Sequence, residues 1–131
     1  MDKKEMVEIL RKVLKEFDTK NQGYTLVMLI SEESYANNTL NWNVLISAKW
    51  LDNQNLKKSL TKFIDILKKN GSENILKSIS KISILRTSDT FVSSMNSFYS
   101  VSPKNIMDLP NISLHGVTID KAVILESKKA A

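Results

Sequence analysis

The chain has no cysteine, which removes disulfides, thiolate metal sites and thiol nucleophiles together and agrees with a reducing compartment. Glycine occurs three times and proline twice. Gly23, Gly71 and Gly116 stand far apart, so neither a dinucleotide fingerprint nor a phosphate-cradling loop can be assembled from them. No serine sits in a Gly-x-Ser-x-Gly elbow. The one histidine, His115, has no ligand partner at metal-binding spacing, and beside Gly116 it reads as a turn residue rather than a general base. Adjacent Glu32 and Glu33 point opposite ways along an extended chain, so no metal site is expected, and no cofactor. A nuclease-type pairing of an acid with Glu-x-Lys fails because Ser47 stands where "SAK" would need a carboxylate.

Long apolar runs are also missing. Nothing approaches the roughly 20 residues of a membrane-spanning helix, and "MDKKEMVEIL" is charged from its second residue, unlike a signal peptide. The expectation is a cytoplasmic, bacterial protein with no membrane partner. Arginine is scarce: of 19 basic residues only Arg11 and Arg86 are arginines, the rest lysine. The net charge of +5 therefore permits phosphate-rich partners without demanding them, since abundant Lys, Asn, Ile and Ser also follow from an AT-rich coding bias.

What is present is an ordinary globular composition, with 42% hydrophobic and 25% charged residues in 131 positions. That is enough for one compact domain over residues 1–131. Asp2 and Glu5 match a capping box, and Met6, Leu10, Val13, Leu14 and Phe17 recur at helical spacing. After the polar "DTKNQG" come two strand-like runs, "YTLVMLIS" and "WNVLISAKWL", separated by ten polar residues and able to pair antiparallel. Asp52 offers an N-cap to a second helix with the stripe Leu56, Leu60, Phe63, Ile64 and Leu67, and Gly71 a stop. "SENILKSIS" suggests a helical turn and "KISILR" a third strand, parallel to the second through a right-handed crossover. A third helix is expected from Thr87 or Ser88, burying Phe91, Val92, Met95, Phe98 and Tyr99. A turn at Pro103 and two or three short β runs, with His115-Gly116 between them, finish the chain. The fold class is α/β (or α+β): a small mixed sheet of four or five strands with about three helices, ordered α-β-β-α-β-α-β(β). Its first hairpin is antiparallel and its later strands parallel.

In such sheets ligands sit beyond the carboxyl ends of parallel strands, where helix starts supply amides. "RTSD" occupies that place: Arg86 can pair with a phosphate or carboxylate, and Thr87 and Ser88 can add donors, while Asp89 competes for the same helix dipole. The alternative is structural, with Ser88 capping, Asp89 complementing the dipole and Arg86 tied to an acid of the fold. The junction "AKWLDNQN" places Trp50, Asp52 and Asn53 on the same rim, so that the two loops can line one cleft. Trp50 and Trp42 either present flat surfaces to a ligand or fill the core periphery.

Residues 52–81 carry seven lysines against three acids. Lys58, Lys62 and Lys69 form a row opposite the apolar stripe, which suits either a phosphate backbone or plain solvation. Three function classes follow. The first is a non-enzymatic interaction or assembly module binding a partner protein or itself as a homodimer, with the edge of "YTLVMLI" as a pairing surface if no other strand covers it. The second is a phosphate-ligand or nucleic-acid binder using Arg86, Ser88 and the lysine face. The third is an enzyme on a phosphorylated or nucleotide substrate, in a cleft of Asp52, Arg86 and Asp89.

Overall fold

The computed structural model describes residues 3–34, 39–71, 73–102, 104–114 and 117–129. Asp2 of the expected capping box, Pro103 and the His115-Gly116 turn lie outside them. The first helix, α1 (Lys3–Phe17), buries Met6, Val7, Leu10, Val13, Leu14 and Phe17, the stripe that its spacing dictates. Asp18 stops it. Its carboxylate accepts the amides of Gln22 (2.9 Å) and Gly23 (2.6 Å), closing a tight loop in which Asn21 and Gly23 take positive φ.

β1 (Leu26–Ser34) and β2 (Thr39–Ser47) pair antiparallel, with Leu26 opposite Ser47. Then come α2 (Lys49–Asp52), α3 (Leu56–Asn70), α4 (Glu73–Ser78), β3 (Ile79–Ile84), α5 (Thr90–Phe98), β4 (Met107–Leu114) and β5 (Val117–Ser127). They build an α+β fold around one five-stranded mixed sheet of order β3-β2-β1-β5-β4. β3 runs parallel to β2, as the crossover requires, whereas β5 is antiparallel to both β1 and β4. The expectation of parallel later strands therefore fails at the C-terminal hairpin, which has no helix to carry a crossover.

A second correction concerns β1. Its apolar run offers a pairing edge only if no strand covers it, and β5 does cover it from Leu26 to Ile30, so β1 is the central strand. The run is apolar because both its faces are covered. On one face α1, α3 and α4 pack over Val27, Leu29, Val44, Ile46, Val123 and Leu125. On the other, Leu26, Met28, Leu45 and Ile124 meet α5 through Val92 and Met95.

Three helix boundaries differ from expectation. β2 stops at Ser47, so Trp50 belongs to α2 instead of prolonging the strand. α3 is capped by Asn55, whose side chain accepts the Lys58 amide at 3.0 Å, and not by Asp52. α5 is capped by Asp89, which accepts the Phe91 amide at 2.9 Å, and not by Ser88. α5 also buries Asn96 and leaves Phe98 out at 68% exposure. The Asn96 amide group donates to the Thr25 carbonyl (2.8 Å) and Ser127 Oγ (3.1 Å), pinning α5 to the sheet.

Gly71 does end α3, for a steric reason rather than a left-handed one. Its backbone is extended, but a Cβ there would lie 2.2 Å from Ile75 Cγ2 and 2.9 Å from the Leu67 carbonyl oxygen. Only glycine lets α4 fold back so closely, and that turn seats fully buried Ile75 and aims the chain into β3. No described helix is long and apolar enough to cross a membrane.

Candidate functional site

Because β2 and β3 run side by side in one direction, and β5 runs the same way, Ser47, Ile84 and Ser127 all leave the sheet on one rim. This brings "AKWLDNQN" and "RTSD" together. They meet as a latch: the Asp52 carboxylate accepts the Thr87 amide (2.9 Å) and the Thr87 hydroxyl, while the Arg86 guanidinium donates to the Asp52 carbonyl oxygen. Ser88 is exposed, and Asp89 occupies the start of α5. The Arg86 and Thr87 donors proposed for an anion therefore already serve Asp52, and the two carboxylates of the supposed cleft are both engaged, that of Asp89 by the Phe91 amide.

Trp50 and Asn53 point elsewhere. They line two hollows on either side of Gln22, of about 470 and 370 Å³. Lys49, Lys128 and Lys129 stand around the larger and Lys20 and Lys62 around the smaller; the one acid lining either is Asp18, whose oxygens hold backbone amides. The Trp50 ring packs against Phe17 (5.3 Å between centroids) and Tyr24 (6.0 Å), and its Nε1 donates to the Gly23 carbonyl at 2.8 Å. Trp42 is buried in the core.

Next to these hollows, a third of about 290 Å³ opens between α1 and β5 and contains Arg11, Asp18, Tyr24 and Glu126. Burial raises the Glu126 carboxyl above its ordinary range, against the pull of the Lys128 ammonium 3.9 Å away. Tyr24 is held protonated by burial and donates its hydroxyl to the Leu14 carbonyl, so it acts as a structural tie.

On α3, Lys58, Lys62 and Lys69 are all exposed. Lys69 pairs with Glu16 of α1 at 3.0 Å, and the same carboxylate accepts from Asn70 at 2.7 Å. These two donors, the Asn70 hydrogen bond foremost, draw the Glu16 carboxyl below its ordinary range. The lysine row is thus split: Lys69 staples α1 to α3, Lys62 faces a hollow and Lys58 stays at the surface.

A separate surface lies along β3, which ends the sheet. Between it and α3 runs an apolar groove of about 290 Å³, walled by Leu60 and Ile64 on one side and Leu76, Ile79 and Ile82 on the other. The sequence reading passed over this place, although two signals mark it: a strand-like "KISILR" with no later strand to pair on its far side, and Leu76 in a lysine-rich helical turn. Among the described residues, no group of three or more His, Asp or Glu side chains is placed to hold a metal. The chain matches no family model, no curated protein and no solved structure with which it was compared.

Proposed function

We propose that the chain is a non-enzymatic binding module of the bacterial cytoplasm that works by docking a partner protein. One observation carries this reading: among the described residues no strand pairs with the outer edge of β3, and that edge lies directly beside an apolar groove. Main-chain groups along such an edge supply affinity, and a neighbouring groove supplies selectivity. The enzymatic reading is weaker, because Asp52 and Asp89 are consumed by amide and hydroxyl donors at the rim. Selection of a displayed random-peptide library against the full chain tests the proposal. Enriched binders that protect a contiguous surface from hydrogen exchange are expected; a library that yields none removes it.

A second reading, binding of a phosphate-bearing ligand, is favoured by the five lysines around the Trp50 hollows. It places the site one step away from Arg86 and Ser88. Pyrophosphate and a short oligonucleotide, titrated at two salt concentrations against Trp50 fluorescence, are then expected to bind with salt-weakened affinity that Lys128→Ala lowers further. Unchanged fluorescence at low salt ends that reading.

A further inference from the structure

We infer that β3 accepts an extended, acidic segment of a partner protein as a sixth strand of the sheet, with alternate apolar side chains of that segment seated in the groove beside α3. This deepens the docking reading above and rests on it.

The backbone supplies the first half of the argument. Leu85 donates its amide to the Ile46 carbonyl at 2.9 Å, so Leu85 faces β2. In a strand successive residues alternate in the direction of their amide and carbonyl, which turns those of Ile82 and Ile84 toward the open side. β3 contains no proline, so no donor is missing along it. An incoming strand meets a ladder ready to be extended, and its side chains on the helical side fall toward Leu60, Ile64 and Leu76, the last of these 38% exposed.

Charge supplies the second half and selects the occupant. Lys57 precedes Leu60 by three residues and Lys68 follows Ile64 by four, so both stand on the groove flank of α3. Lys77 follows Leu76, and Lys81 lines the groove itself; all four lysines are exposed, and among the described residues no acidic side chain lines the groove. A second copy of this chain would bring four more lysines against these four, which opposes self-pairing through β3. A segment alternating apolar and acidic residues answers both features: its apolar side chains enter the groove on the helical face, and its carboxylates fall on the opposite face, toward which Lys81 is turned by alternation with Ile82, while the other three lysines add to the positive field at this edge.

The test uses the full chain and three capped octapeptides: alternating valine and glutamate, the same peptide with lysine for glutamate, and the glutamate peptide N-methylated at alternate residues. By fluorescence anisotropy the glutamate peptide is expected to bind at least about tenfold more tightly than either analogue, roughly 1.4 kcal/mol. Leu76→Asp is expected to weaken it by a similar factor, and Lys81→Glu to shift preference toward the lysine peptide. Both positions are exposed, and a thermal melt checks that each variant folds. In amide-resolved hydrogen exchange the Ile82 and Ile84 amides gain protection on binding while that of Ser83 changes little. The proposal is overturned by no binding of the glutamate peptide, by equal affinity for the three peptides, by indifference to Leu76→Asp, or by protection elsewhere. If library binders are nonetheless enriched and protect another surface, docking stands and the β3 assignment alone falls. If neither peptides nor library yield a binder, the docking reading falls with it.

Discussion

The two ends of the sheet face the same hazard, a row of unpaired backbone groups, and meet it differently. β4 has eight residues with Pro110 in their midst, pairing with Lys121 of β5, and Asp108 on this strand is held by Lys3 of α1 at 2.9 Å. Proline has no amide, so an approaching strand cannot continue a regular ladder there. β3 has six residues, no proline, and Lys81 near its middle. Charge deters an indiscriminate neighbour while leaving every backbone group in place. One border is chemically shut; the other is filtered by charge, which is the property expected of a selective docking strand.

Five substitutions break or sharpen this contrast. The largest effect is expected from Ile75→Ala, which empties a fully buried core position in the helix leading into β3 and is expected to cost about 2–4 kcal/mol in denaturant unfolding. Gly71→Ala follows, at about 1–3 kcal/mol, because its Cβ collides with Ile75 and a backbone carbonyl. For both, hydrogen exchange should accelerate more in β3 than in β4. Equal acceleration would show that the two borders are not separately supported. Pro110→Val is expected to leave stability nearly unchanged but to restore a donor on the shut side, giving stronger concentration-dependent self-association in sedimentation velocity than the parent chain.

The smallest effects differ in sign with pH. Glu16, on the α3 side, has a depressed carboxyl pKa in the fold, so its stabilisation is present above the unfolded value and lost as pH falls through the folded one. Glu126, on β5, has a raised pKa. The folded state holds its proton more firmly, and stability declines as pH rises from the unfolded to the folded value. Glu16→Gln should therefore cost stability at neutral pH and nothing in acid, whereas Glu126→Gln should gain stability at neutral pH and nothing in acid. Melts at pH 3 and 7 read both.

The periodic elements were legible because local pattern decides them. The stripe from Met6 to Phe17 and that from Leu56 to Leu67 appear as helices facing one side of the sheet, and the parallel pairing of β2 with β3 follows from the helix between them. Strand neighbours far apart in sequence were not legible. "YTLVMLI" looks identical whether its far side is open or covered, and only the return of β5 decides that. At the rim, sequence order correctly brought Asp52 near Arg86 and Thr87 but could not say that they bond to one another. Ser88 and Asp89 are both good caps, and a single hydrogen bond to Phe91 chose between them. The β3 groove went unseen because its walls come from three elements, and its apolar residues blend into the stripe of α3.

The placement of β1 has a consequence for how the polypeptide reaches its native state. Leu26 must find Ser127, across nearly the whole chain, before the middle of the sheet is complete. During synthesis the β1–β2 pair therefore emerges with an apolar flank that β5 can cover only after about 80 further residues have been made. Non-local pairing of this kind slows folding and leaves nascent chains open to aggregation, so the sheet is expected to close late and to benefit from chaperones that shield that flank meanwhile.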